Sequence, residues 1–141
     1  MIKVMAFGTF DVLHPGHRHF LKDAKNLGDY LTVVVARDLT VKEVKGKFPL
    51  NNEQIRLKTV SDSGLADKVI LGGIGSKYDV IFREKPDFIA LGYDQTAFTD
   101  ELHGELQRHG LDPKIERIDP FMPQTYKTSK IIRKLREEKE E

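Results

Sequence analysis

Apolar positions along this chain come in short unbroken runs separated by amphipathic stretches. Residues 3–7 form one apolar run, and residues 30–36, Tyr-Leu-Thr-Val-Val-Val-Ala, form a longer β-branched one. Runs without alternation suit strands covered on both faces, as in a parallel sheet. Between them, Phe20, Leu21, Ala24 and Leu27 recur at helical spacing within 17–27. Gly28 is the expected C-cap of that helix. The pattern then predicts a helix over 51–61, with Asn51 or Asn52 as N-cap and Glu53 in its first turn. A short strand follows at 68–71, and a helix at 76–84 is stopped by Lys85-Pro86. Next come a strand at 87–91, a helix at 99–109 closed by Gly110, and a strand at 114–118. A last helix at 128–135 fades into a charged tail at 136–141.

Strand–helix units in this order predict an α/β fold. It is a Rossmann-like, doubly wound parallel sheet in three αβα layers, with right-handed crossovers. No repeat or low-complexity linker divides the 141 residues, so one domain over 1–141 is expected. Ligands in such sheets bind beyond the carboxyl ends of the strands, where strand order reverses. The loops to inspect are therefore 8–16, 37–49, 72–77, 92–98 and 119–128.

Composition removes several function classes. The net charge of +1 does not favour a nucleic-acid partner. The absence of cysteine excludes a disulfide framework, a thiolate nucleophile and a zinc–cysteine site. No stretch approaches the roughly 20 apolar residues that cross a bilayer, so a soluble cytoplasmic protein without a membrane partner is expected.

The richest chemistry lies in the first loop, Gly8-Thr9-Phe10-Asp11-Val12-Leu13-His14-Pro15-Gly16-His17. Gly8 lets the backbone turn without a Cβ clash. Thr9 offers a hydroxyl and an N–H to a phosphate. His14 and His17, three apart at a helix start, can both face one anion while the helix N-terminus adds partial positive charge. Gly16 leaves room for a nucleotide against the backbone. A two-histidine metal site would need a third ligand, and only Asp11 is near. No Gly-x-Gly-x-x-Gly follows the first strand, which speaks against dinucleotide oxidoreduction.

This run resembles the first motif of the cytidylyltransferase-like nucleotidyltransferase superfamily, in its small single-domain form. The likeness continues through Ala36-Arg37-Asp38, Glu53-Gln54-Ile55-Arg56, Leu91-Gly92-Tyr93-Asp94-Gln95 and Thr128-Ser129-Lys130-Ile131-Ile132. It implies in-line attack of a substrate phosphate on the α-phosphorus of a nucleoside triphosphate, with pyrophosphate leaving. His14 and His17 would stabilise the charge developing at the α-phosphoryl group. Arg56 would approach the β-phosphate, and a lysine of the basic segment 42–47, Lys45 or Lys47, would lie over the phosphates. Thr9, Phe10, Pro15 and Gly16 would contact the nucleotide with the histidines. Gly92 and Asp94 would read the base, and Tyr126, Thr128 and Ser129 would close on the triphosphate. A divalent ion, expected to be Mg²⁺, would be carried by the nucleotide rather than by protein ligands.

Two branches of the superfamily compete. The glycerol-3-phosphate cytidylyltransferases carry Trp where this chain has Pro15, and an Arg-Thr-x-Gly run that 123–129 lacks. The chain is more similar to archaeal-type FAD synthetases, with Val35-Ala36-Arg37-Asp38, Ala90-Leu91-Gly92-Tyr93-Asp94-Gln95 and Tyr126-Lys127-Thr128-Ser129-Lys130-Ile131-Ile132. That resemblance implies ATP and FMN as substrates, and a homodimer.

Overall fold

The computed structural model describes residues 1–73, 78–92 and 99–118. Ten elements follow in the order β1 (Lys3–Gly8), α1 (Pro15–Asn26), β2 (Tyr30–Val35), α2 (Asp38–Lys45), α3 (Glu53–Asp62), β3 (Lys68–Leu71), α4 (Asp79–Glu84), β4 (Phe88–Gly92), α5 (Thr99–Arg108) and β5 (Lys114–Ile118). The five strands form one sheet in the order β3-β2-β1-β4-β5, and every pairing is parallel. The α/β doubly wound architecture expected from the hydrophobic pattern is the one observed.

Alternate residues of each strand feed opposite cores, because successive side chains point to opposite faces. Val4, Ala6, Leu31, Val33 and Val35 pack with Leu21 and Ala24 of α1 and Val60 of α3. Met5, Phe7, Val34, Ile89 and Leu91 pack with Val80 and Ile81 of α4 and Leu102 and Leu106 of α5. Strand order reverses between β1 and β4. Ala6 pairs with Ala90 there, so Gly8 and Gly92 each lie two residues beyond that pair, at the carboxyl ends of the two strands.

Several boundaries differ from expectation for local reasons. Helix α1 begins at Pro15, two residues early, because proline suits the first helical position and His14 caps it. Its C-cap is Leu27, not Gly28. Gly28 is instead required by close approach: a Cβ there would stand 2.7 Å from the Ile2 carbonyl oxygen. Segment 38–45, expected as loop, is helix α2, ended by Gly46 in the left-handed conformation (φ 80°). Its pattern is faint because only Val41 is buried, while Leu39 and Val44 stay exposed. Helix α3 runs one to two residues later than expected, with the Asn52 side chain accepting from the Ile55 N–H. The helix expected at 128–135 and the tail lie outside the described residues.

Candidate active site

The site forms where the polypeptide leaves β1 at the reversal of strand order. Gly8 ends the strand, and its place is set by packing: a Cβ would meet the Phe10 ring at 2.8 Å. Phe10 itself is buried and holds a positive φ of 53°. Non-glycine residues rarely adopt that region, at a cost of about 1–3 kcal/mol, unless surrounding contacts over-determine them.

Those contacts come from α3 and the segment before it. Arg56 of α3 is fully buried. Its Nη1 donates to the Thr9 carbonyl (2.9 Å), its Nε to the Asn51 carbonyl (3.0 Å) and its Nη2 to the Asp38 carboxylate (2.7 Å). On the other side of Phe10, the Asp11 carboxylate accepts from the main-chain N–H groups of Leu50 and Asn51, both at 2.8 Å. The Asn51 side-chain amide returns a bond to the Asp11 carbonyl at 2.7 Å. Thr9 and Asp11, the two neighbours of the strained residue, are thus both tied to one segment.

A second cross-tie fixes α2 against α3. Arg37 Nη1 pairs with Glu53 Oε2 at 3.0 Å, and Glu53 Oε1 accepts from the Asp38 N–H at 3.0 Å. Arg37 Nε also reaches the Gly72 carbonyl. The Ala36-Arg37-Asp38 and Glu53-Gln54-Ile55-Arg56 segments, read separately along the sequence, are therefore paired crosswise as Arg37–Glu53 and Asp38–Arg56.

Beyond this frame stand the histidines. His14 is the N-cap of α1, and its Nδ1 accepts from the Gly16 N–H at 3.0 Å. With Nδ1 an acceptor, the proton of the neutral ring resides on Nε2. His17 stacks on His14, with ring centroids 3.9 Å apart and planes at 21°. The Phe10 ring meets His17 edge-on at 5.3 Å. Burial lowers the pKa of His14. Burial also drives His17 down to about 3, helped by the His14 ring and the Lys45 charge, while the Val12 backbone opposes the shift. Both rings are therefore neutral hydrogen-bonding groups at pH 7, stacked at a helix N-terminus that itself attracts anions.

The structure brings Gly8, Thr9, Phe10, His14, Pro15, Gly16 and His17 together in one loop and helix start. Gly92 lies across the reversal of strand order, at the end of β4. Lys45 closes α2, exposed and near enough for its charge to act on His17. It is a helix residue, not part of a basic loop, and Lys42 of the same helix sits over the Phe48 ring. Arg56 departs from expectation. Its guanidinium faces two backbone carbonyls and Asp38 and has no surface to present to a phosphate. Asp94, Tyr126, Thr128 and Ser129 lie outside the described residues. The parts missed from sequence are the bracing roles of Asp11, Asp38, Asn51 and Glu53. Asp11 and Glu53 lie inside the quoted motifs, but no spacing rule says which main-chain groups a carboxylate will accept from.

A family model described as cytidylyltransferase-like matches residues 5–134. The chain belongs to the cytidylyltransferase-like family. Among curated relatives, the FAD synthase of Thermoplasma volcanium is 43% identical over 137 residues, covering 97% of this chain and 96% of that protein. The FAD synthase of Aciduliprofundum boonei is 43% identical over 121 residues, covering 86% and 80%. A crystal structure described as a lipopolysaccharide core biosynthesis protein from Thermoplasma volcanium superposes with a TM-score of 0.80 at 45% identity, covering 86% of this chain and 98% of that one. This cytidylyltransferase-like chain is thus an enzyme of nucleotidyl transfer, with the family's histidine motif placed at the switch point of its sheet.

Proposed function

We propose that this protein is an FMN adenylyltransferase, which transfers the adenylyl group of ATP to FMN. A terminal oxygen of the FMN phosphate attacks the α-phosphorus in line. The bond from that phosphorus to the bridging α–β oxygen breaks, leaving FAD and pyrophosphate. The attacking phosphate is already an anion at neutral pH, so no strong general base is required. Catalysis is positioning and charge stabilisation.

The observation that carries the reading is the stacked His14–His17 pair at the start of α1, in a chain about 40% identical to proteins named FAD synthase over nearly all its length. His14 donates from Nε2, and His17 from its imidazole, to oxygens of the α-phosphoryl group as charge builds there. Main-chain N–H groups near Phe10 and the Thr9 hydroxyl add hydrogen bonds. Pro15 and Gly16 line the nucleotide with them. Lys45 supplies a positive charge to the triphosphate. Arg56 supports this site from behind. By the resemblance, the proposal assigns base recognition to Gly92 and Asp94 and triphosphate binding to Tyr126, Thr128 and Ser129.

Among the described residues no group of three His, Asp or Glu side chains converges on one point. In this proposal a divalent ion, Mg²⁺, is carried by the nucleotide phosphates rather than by protein ligands, as the resemblance implies. When bound, the ion neutralises triphosphate charge. No helix among the described residues is long and apolar enough to cross a membrane. We place the enzyme in the cytoplasm as a homodimer, on the resemblance of the family's small members.

The experiment is a paired product assay with Mg²⁺, using ATP with FMN in one arm and CTP with glycerol 3-phosphate in the other. Chromatographic detection of FAD in the first arm is expected. CDP-glycerol in the second, with no FAD in the first, would overturn the acceptor and the base together.

A further inference from the structure

Phe10 carries an uncommon backbone conformation, and the two residues that flank it are the ones tied to a second segment. Thr9 is held through its carbonyl by Arg56. Asp11 is held by the N–H groups of Leu50 and Asn51 and by the Asn51 side chain. Arg56 also grips the Asn51 carbonyl, so both ties converge on the turn before α3. The Phe10 ring, fixed by this clamp and by contact with Gly8, stands edge-on to His17. A continuous path of contacts therefore runs from the 50–56 segment, through Phe10, to the histidine pair.

We propose that Asp11 and Arg56 are positioning residues that clamp Phe10 in its left-handed conformation and thereby set the His17 imidazole. Neither touches substrate. Asp11 is not a metal ligand in this account, since both of its carboxylate oxygens are taken by main-chain N–H groups and it lies 8% exposed. Over-determination by surrounding bonds is what allows a non-glycine residue to persist at positive φ. Displacement of a reacting group by about 1 Å can cost on the order of a hundredfold in rate while ground-state binding survives. The clamp therefore acts on turnover more than on nucleotide affinity.

The inference rests on the adenylyl-transfer reading, and its test separates the two. The central variant is Asp11→Asn, which places an amide N–H₂ against a main-chain N–H donor and breaks one side of the clamp. In steady-state FAD formation, kcat is expected to fall at least about tenfold while KM for ATP changes less than about threefold. The His17 imidazole ¹⁵N resonances are expected to move in the ATP-free protein. A folded Asp11→Asn enzyme with kcat within twofold of wild type, or with unmoved His17 resonances, overturns the proposal. So does a rise in KM alone. Should Asp11→Asn not fold, Asn51→Ala decides. It deletes the side-chain bond to the Asp11 carbonyl but keeps both N–H bonds to the carboxylate. A fall in kcat of at least about threefold, with His17 resonances moved from their wild-type positions, supports the clamp, and no change in either contradicts it. If the wild-type protein forms no FAD, the adenylyl-transfer reading fails, and the clamp is then judged on the His17 resonances alone.

Discussion

The imidazoles of His14 and His17 lie face to face, 3.9 Å between centroids, with His14 fixed by accepting the Gly16 N–H at Nδ1. Two charged rings at that separation would repel one another, so stacking and burial both favour the neutral forms. In the proposed mechanism the pair works as pre-set donors beside an anion rather than as a double cation. Such donors gain strength where charge develops during reaction, because they need no reorganisation.

The first consequence concerns turnover. Removal of one preorganised donor typically costs about a hundredfold to a thousandfold in kcat. His17→Ala is therefore expected to lower FAD formation at least about a hundredfold while the far-ultraviolet circular dichroism of the fold is retained. Near-normal turnover by the folded variant would remove the histidine mechanism.

The second concerns pH. His17 titrates at about 3 in the folded protein but near 6.5 when unfolded. Between those values the unfolded chain binds more protons than the folded one, so stability rises with pH across the window and falls as pH drops from about 6.5 toward 3. The lowered pKa of His14 has the same sign. Urea unfolding at pH 4.5 and pH 7 should show a smaller pH dependence for His17→Gln than for wild type. An unchanged dependence would contradict the burial of His17.

Arg56 separates a phosphate contact from a structural brace. A surface arginine at the phosphates would cost little stability when removed. Arg56→Ala instead strips three acceptors and leaves Asp38 without its partner. Breaking a buried ion pair costs about 3–5 kcal/mol. A loss of that size in the free energy of urea unfolding is expected, and a loss below about 1 kcal/mol would contradict the burial seen for this side chain.

The lysines of the α2 end can be told apart. Lys45 acts electrostatically on His17, whereas Lys47 lies past the Gly46 cap. Lys45→Ala should lower kcat/KM for ATP about tenfold, equivalent to roughly 1.4 kcal/mol, and Lys47→Ala less than threefold. Equal effects of the two substitutions would show that net charge, not position, matters.

Much of the fold was legible because its strands are apolar runs and its helices, α1 above all, carry a buried stripe. The sheet elements 3–7, 30–36, 68–71, 87–91 and 114–118 fall within a residue or so of the observed strands. Helix α2 was not legible, since a single buried residue, Val41, makes no periodic stripe. Gly28 was read as a helix C-cap, whereas the need for glycine there comes from the Ile2 carbonyl just before β1, far away in sequence. The histidine pair was visible as a motif. The role of Arg56 was not, because its partners Thr9, Asn51 and Asp38 are brought together only by the tertiary fold. Long-range hydrogen bonds of that kind leave no periodicity in a sequence.

The most direct measurement is the stoichiometry of pyrophosphate and FAD released by the purified protein given ATP, FMN and Mg²⁺. One pyrophosphate is expected for each FAD, with both dependent on FMN and lost together in His17→Ala. Pyrophosphate released at full rate without FMN, or no FAD from the wild-type protein, would contradict it.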